Sequence, residues 1–410
     1  MHKAQTKKTN SAAVSLPTTT SFTLGASLLG GMPIEKFLRQ YWHKKPLLIR
    51  QAVSPATLAS LDCTPGTLFD LAANEEVESR LIQNKGKSAG NKWTLGHGPF
   101  TAETIPSLKQ KKWTLLVQGV NHHHAPAANF LENFRFVPDV RLDDIMISYA
   151  TTDGGVGPHF DSYDVFLLQL HGTRRWQISA QKDLSLQPNL PLKILQNFTA
   201  EQTWDLAPGD MLYLPPYYAH NGVALDECMT LSVGFRAPSY TELAQNFYQW
   251  LADQVDLPGR IHDAGLLTAT QQPAEIPSWL VQQMTQAIEK LRPTAADIEA
   301  FLGEYLSDPK PSVFFTPPAQ RLTPATFLKQ IAKNGLRLDA KSRLLYDRHN
   351  IYFNGIALHA TGREKTLLHE LANTHRLRPT SCAACSQLPA LQTQLLEWYQ
   401  AGYMRLDTQA

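Results

Sequence analysis

Two histidines and one aspartate carry the strongest chemical signal in this 410-residue chain. His159 and Asp161 lie two apart in Gly154-Gly155-Val156-Gly157-Pro158-His159-Phe160-Asp161, just ahead of the apolar run Val165-Phe166-Leu167-Leu168. On extended backbone, residues two apart project to the same side, so both side chains should enter whatever the sheet encloses. Further on, Pro208-Gly209-Asp210 opens the run Met211-Leu212-Tyr213-Leu214, and a second turn should carry His220 back to the same cavity. Two imidazoles and one carboxylate can cap one face of an octahedral metal and leave positions open for substrate and oxygen, the facial triad of non-haem Fe(II) oxygenases. A lone His-x-Asp is common; the buried strand behind it and the distal histidine make this one informative. A cupin-type storage or isomerase site would use the same ligands in a β-barrel, so the triad alone does not specify oxygenation.

The segment Gly172-Thr173-Arg174-Arg175-Trp176-Gln177 separates these readings. It should open the next strand, where neighbouring side chains alternate faces and only one guanidinium can point inward. We expect Arg174 inside and Arg175 outside. An enclosed arginine could grip a carboxylate through two parallel N–H donors. The co-substrate 2-oxoglutarate needs such a cation, because its keto acid end chelates iron while its distal carboxylate must be held elsewhere. In the competing reading both arginines are solvated strand-end charges.

Elements able to position these groups are legible around them. Residues 1–24 are Thr/Ser/Lys-rich with three lysines and no acid, which reads as a disordered tail. Ile34, Phe37, Leu38 and Tyr41 recur at helical spacing before Pro46. From there to about residue 238 the chain alternates short apolar runs with Gly, Pro and Asn, the pattern of a β-sandwich or barrel. Strands are predicted at Trp113–Val120, Ile145–Tyr149, Val165–Leu170, Arg175–Ile178, Met211–Leu214 and Thr230–Phe235. Amphipathic helices follow in 239–309, divided by Pro258, Pro273, Pro277 and Pro293. Residues 310–410 combine helical segments with a hairpin pattern at Asn354-Gly355, suggesting a winged helix. The expected fold class is therefore α+β: a 25–238 catalytic unit, a 239–309 helical region and a 310–410 winged-helix-like domain.

The chain also resembles a known family, the bacterial JmjC-type ribosomal oxygenases that hydroxylate an arginine of ribosomal protein L-sixteen. The resemblance runs from about Phe37 onward and rests on ordered blocks. These include Tyr41-Trp42-His43-Lys44-Lys45-Pro46, Gly96-His97-Gly98-Pro99-Phe100, Leu116-Val117-Gln118-Gly119-Val120-Asn121-His122 and Asp143-Asp144-Ile145-Met146-Ile147-Ser148. The Gly154–Gln169 block, Arg174-Arg175-Trp176, Pro208–Tyr213 and Ser232-Val233-Gly234-Phe235-Arg236-Ala237-Pro238 continue it. It implies a double-stranded β-helix (cupin/JmjC) core, a helical dimerisation region forming a homodimer, and a C-terminal winged helix. It implies His159, Asp161 and His220 as Fe(II) ligands, Arg174 as the anchor of 2-oxoglutarate, and Ser148 and Thr230 in the co-substrate pocket. Thr230 departs from the asparagine expected in close relatives. The implied reaction couples oxidative decarboxylation of 2-oxoglutarate by O2 to hydroxylation of a C–H bond.

Three further signals bear on partners. Among residues 139–164 there are six aspartates and one arginine, Arg141. We expect Asp153 and Asp164 at the pocket mouth, drawing in a cationic substrate side chain, with Tyr163 as a packing wall; Asp143 and Asp144 read as solvent-facing. Residues 310–378 hold twelve Lys/Arg against four Asp/Glu, which raises contact with ribosomal RNA or another nucleic acid, or else a merely solvated basic surface. Cys382-Ala383-Ala384-Cys385 lacks a second Cys-x-x-Cys and reads as ordinary loop thiols rather than a zinc or redox site. His369 and His375 are six apart, wrong for a zincin helix, and His122-His123-His124 reads as a polar turn.

Composition limits the classes. Thirty-eight basic and 36 acidic residues give a net charge of +2, against a globally polyanion-binding chain. No run approaches a membrane span, and no secretory apolar stretch opens the sequence, so a cytoplasmic location without membrane contact is expected. Four cysteines cannot form a disulfide framework. The reading is an Fe(II)/2-oxoglutarate protein hydroxylase acting on a ribosomal protein. Its alternatives are a non-catalytic JmjC/winged-helix regulator associated with nucleic acid, and an oxygenase of this class with another substrate.

Overall fold

The computed structural model describes residues 28–86, 93–254 and 256–407. The tail expected over residues 1–24 lies outside them. Among the described residues, eleven strands build the N-terminal unit: β1 (Leu47–Ile49), β2 (Ser79–Asn84), β3 (Trp93–His97), β4 (Trp113–Val117), β5 (Leu142–Ala150), β6 (Val165–His171), β7 (Arg174–Ser179), β8 (Gln202–Leu206), β9 (Met211–Leu214), β10 (Ala219–Ala224) and β11 (Cys228–Phe235). One sheet runs β1-β9-β6-β11-β5-β4-β2-β3 and a second runs β10-β7-β8, with antiparallel pairing in both. The strand expected over Trp113–Val120 ends at Val117, because Gly119 adopts φ +63° and starts a short helix at Val120–His123.

Period-two alternation sorts the large sheet into two environments. In β5, Ile145, Ile147 and Tyr149 join the main core, whereas Asp144, Met146 and Ser148 face the space between the sheets. In β11, Leu231 and Val233 are core and Thr230, Ser232 and Gly234 line that space. Phe37, Leu68, Phe130 and Phe134 from preceding helices cover the outer face. Phe37 alone contacts Phe136, Phe166 and Tyr213 with ring centroids 4.9–6.1 Å apart. A smaller cluster of Val165, Leu167, Trp176, Ile178, Leu212 and Leu214 joins the two sheets. The cavity is thus the polar remainder of a sandwich whose far side is packed by aromatics.

Beyond β11, the helices Tyr240–Gln254 and Ala295–Ser307 meet through an aromatic cluster in which Phe301 touches Phe247, Trp250 and Tyr305. Trp250 Nε1 donates to Glu304 and the Tyr305 hydroxyl to Glu242. The helix Ser278–Glu289 lies between them in sequence and has no buried residue. The C-terminal unit packs the helices Pro324–Asn334, Gly362–Thr374 and Pro389–Gln400 around Phe327, Ile331, Leu371, Leu395 and Trp398. Its hairpin turns at Asn354 and Gly355, with φ +48° and +84°, the conformation that favours this residue pair.

Cys382 and Cys385 correct the loop expectation. The helix Pro379–Ala384 and the 3-10 turn Cys385–Gln387 carry them into the winged-helix core, where both thiols are free and buried. Burial pushes their pKa values up to about 12 and about 11, so neither is a ready thiolate. The short helix at Val120–His123 likewise replaces the polar turn read at His122-His123-His124.

Candidate active site

His159 and His220 are brought together by backbone. Each donates its N–H to the other's carbonyl, at 2.9 and 2.8 Å, forming an isolated antiparallel bridge between the β6 approach and the start of β10. Their rings lie 4.2 Å apart. His159 Nδ1 faces the Gly157 carbonyl and His220 Nδ1 the Tyr218 carbonyl, both at 2.9 Å. A carbonyl only accepts, so each Nδ1 carries the proton and each Nε2 presents its lone pair. Asp161 Oδ2 lies 3.6 Å from His220 Nε2, and the donor atoms of His159, Asp161 and His220 all fall within 4.8 Å of one another. Among the described residues these three form the one His/Cys/Asp/Glu cluster compact enough for a metal. Burial and neighbouring His159 push the His220 pKa down to about 4, which keeps that ring neutral and available as a ligand.

The glycines before the triad serve close packing. A Cβ on Gly155 would stand 2.5 Å from the Gly222 carbonyl oxygen, and one on Gly154 2.5 Å from that of Trp113. Gly222, which the sequence reading missed, shapes the Arg174 cradle. A Cβ there would stand 2.7 Å from Arg174 Nε and from the Trp176 ring, so its bareness makes room for the guanidinium.

Arg174 points inward and is 2% exposed; Arg175 points out and pairs with Asp205 at 2.7 Å. The strand alternation expected for this pair holds. Arg174 Nη1 donates to Ser148 Oγ at 3.1 Å, Nη2 to the Gly222 carbonyl at 3.2 Å, and the guanidinium lies 5.0 Å from the Trp176 ring centroid. Among the described residues Nε has no partner and no carboxylate pairs with the group. Burial lowers its pKa. A buried cation with an orphaned donor is costly unless an anion completes it, so this cradle is chemically matched to a carboxylate. Ser148 and Thr230 face each other across β5 and β11 on the cavity wall. The Thr230 hydroxyl donates to Gln169 Oε1 at 3.0 Å and is thereby already engaged.

Triad and Arg174 share one cavity of about 300 Å³. Tyr163 lines it. Asp164 does not: it is fully buried, accepts from the Tyr213 hydroxyl at 2.5 Å, and pairs with His43 at 2.8 Å and Arg141 at 3.4 Å. Period two explains the error, since Asp164 is one residue out of phase with Tyr163 and Val165 on the cavity wall. Asp153 sits on an exposed turn at φ +63°, its amide bonded to the Ala224 carbonyl, off the cavity wall. The acidic wall is formed instead by Asp143 and Asp144, the pair read as solvent-facing. Gln118 Nε2 donates to both Asp144 oxygens, at 2.8 and 3.0 Å. For Asp144 the missed signal was phase, since Asp144, Met146 and Ser148 share one face of β5.

Three basic residues of the C-terminal segment are turned toward the catalytic unit. Lys310 and Arg343 approach Asp143, and Arg337 donates to Asn129 at 2.6 Å. From the other side, Arg135 donates to the Ala372 and Asn373 carbonyls at the end of the helix Gly362–Thr374. His375 follows that helix and pairs with Glu132 at 2.8 Å and Asp139 at 3.6 Å. Part of the local charge excess is thus an intramolecular complement.

A two-sheet antiparallel sandwich enclosing a two-histidine, one-carboxylate cluster, with a buried arginine beside it in the same cavity, defines a JmjC-type 2-oxoglutarate oxygenase. The JmjC domain family matches residues 129–243, and the ROXA-like winged helix family matches residues 288–405. The ribosomal protein uL16 3-hydroxylase of Escherichia coli (strain K12) is 30% identical over 373 residues, covering 90% of this chain and 96% of that protein. The X-ray structure of E. coli YcfD superposes with a TM-score of 0.76 at 29% identity, covering 91% of this chain and 98% of that one. YcfD in complex with cobalt and 2-oxoglutarate matches with a TM-score of 0.74 at 29% identity, covering 92% and 98%. The chain belongs to the ribosomal oxygenase family of JmjC proteins.

Proposed function

We propose that this protein hydroxylates an arginine side chain of the ribosomal protein uL16, with His159, Asp161 and His220 holding Fe(II) and Arg174 holding the distal carboxylate of 2-oxoglutarate. The observation that carries the proposal is one cavity containing both the triad and a buried guanidinium with which no carboxylate of the described residues pairs. Cobalt and 2-oxoglutarate in the E. coli relative support it. When bound, iron, 2-oxoglutarate and O2 supply the oxidising power, and 2-oxoglutarate leaves as succinate and carbon dioxide. The chain's own part is orientation. Nδ1–H donation to Gly157 and Tyr218 aims both imidazoles, and Arg174 with Ser148 fixes the co-substrate. Tyr163 and the Asp143/Asp144 wall receive a cationic side chain, with an aromatic face on one side and carboxylates on the other. Incubating the enzyme with iron, 2-oxoglutarate and a uL16 peptide should add one oxygen, read by mass spectrometry. A peptide with methionine at the target arginine should react far less, and no mass gain on any ribosomal protein would remove the assignment.

The domain division, assembly and location belong to the same reading. The helix Ala295–Ser307 packs on the hairpin strands of the C-terminal unit as well as on the helix Tyr240–Gln254, so it ties the 239–309 helical region to the 310–410 unit. Dimerisation is carried by the helix Ser278–Glu289, whose Val281, Met284 and Ile288 form an exposed apolar stripe. Phe247, Trp250, Leu251, Phe301 and Tyr305 of the neighbouring helices pack within the chain. Light scattering at micromolar concentration should give twice the 45.8 kDa chain mass. Among the described residues no helix is long and apolar enough to cross a membrane, and a ribosomal substrate implies the cytoplasm. Contact with ribosomal RNA is left to the outward cations such as Lys329, Lys333 and Arg363. A salt-dependent filter-binding signal with the full chain would support that contact, and its absence would remove it.

A further inference from the structure

Lys310 lies on the segment between the helix Ala295–Ser307 and the winged helix, yet its ammonium reaches the wall of the active-site cavity. Nζ stands 2.7 Å from Asp143 Oδ1 and 3.6 Å from Asp144 Oδ2. Both carboxylates line the catalytic cavity. Asp144 and Gln118 also line the cleft behind it, where Lys310 sits with Glu76, Glu78 and His122. This wall is one residue thick: catalytic cavity on one side, a cation from the chain's own linker on the other. Asp144 is 4% exposed, and burial works to protonate it while Lys310 opposes that effect. Arg343 Nη2 adds a more distant cation, 3.7 Å from Asp143.

We infer that Lys310 is a specificity-setting positioning residue, the resident counter-cation of the Asp143/Asp144 wall, which an incoming substrate guanidinium must share or displace. The inference rests on the reading of a cationic substrate given above. With Lys310 and Arg343 in place the two carboxylates are nearly neutralised, so the wall attracts a substrate cation only as strongly as it loosens from Lys310. The Lys310 side chain is 44% exposed and can move into water at small cost, unlike a buried partner. Substrate capture would thereby loosen the linker at its catalytic end.

The test is steady-state turnover of an arginine-bearing uL16 peptide by the full-length protein and its Lys310→Gln and Lys310→Arg variants. Lys310→Gln should lower the peptide KM about threefold, with a smaller change in kcat and a steeper rise of KM with salt. Lys310→Arg should stay near the parent value, since it keeps the cation. A peptide KM that is unchanged or raised in Lys310→Gln would overturn the inference, because a merely structural lysine can only loosen the wall. The methionine peptide separates the two levels. If the parent enzyme turns over both peptides equally, the cationic-substrate reading fails and this inference falls with it. If only the arginine peptide reacts and Lys310→Gln leaves KM unmoved, the Lys310 role alone is lost.

Discussion

His159 and His220 are joined by two backbone hydrogen bonds, so the spacing of their imidazoles is set by the main chain and not by any side-chain contact. That separates ligand chemistry from folding. His159→Ala and Asp161→Ala should each cut 2-oxoglutarate turnover by more than about a hundredfold, the upper range for disturbing even the outer partners of a metal site. The melting temperature should remain close to the parent's, because the bridge needs no imidazole. Succinate production at the parental rate in either variant would remove the metal assignment.

Arg174 and Arg175 are neighbours with opposite fates. Arg174→Ala removes the buried cation that the cavity offers a carboxylate, a loss of roughly 2–5 kcal/mol in a desolvated pair. The apparent KM for 2-oxoglutarate should rise at least tenfold, with iron affinity little changed. Arg175→Ala loses only an exposed pair with Asp205 and should behave as the parent enzyme. Measuring 2-oxoglutarate saturation for both variants decides between the faces.

Asp144 and Asp164 invert the expectation drawn from charge density. Asp144→Asn should raise KM for the arginine peptide about tenfold, the scale of one charge-assisted contact, and leave 2-oxoglutarate saturation in place. Asp164→Ala leaves Tyr213, His43 and Arg141 without their shared acceptor and should destabilise the fold by about 3 kcal/mol. Denaturant unfolding alongside peptide kinetics would distinguish the two effects, and the opposite assignment would show as kinetics lost at Asp164 with stability intact.

His375 gives the contact between the catalytic unit and the winged helix a pH dependence. Burial disfavours the charged ring, but Glu132 and Asp139 outweigh it and raise the His375 pKa, with Arg135 opposing them. The helix end it follows also favours a cation. Because the folded pKa is above the unfolded one, the stabilisation is complete below about pH 6.5 and lost as pH rises through the raised value. The melting temperature of the parent minus that of His375→Gln should therefore be largest near about pH 6 and shrink toward about pH 9. A difference that grows with pH would contradict the paired imidazolium.

Several parts of this protein were determined by the sequence alone. Spacing of two on extended backbone put His159 and Asp161 on one side, and alternation put Arg174 opposite Arg175. Glycine and asparagine at 354–355 required the hairpin turn, because few other pairs accept positive φ at both positions. What periodicity could not supply was phase relative to a second sheet. Asp143, Asp144, Asp153 and Asp164 are chemically alike, and only the pairing of β5 with β4 and β11 decides that Asp144 faces the cavity. Asp164 owes its burial to Tyr213 and His43, which come from distant stretches of chain. The basic count in 310–378 carried no direction, and the tertiary fold turned Lys310, Arg337 and Arg343 toward the catalytic unit. Local geometry fixes which side chains travel together along one strand; which neighbours they then meet is set by long-range packing, and a charge takes its role from those neighbours.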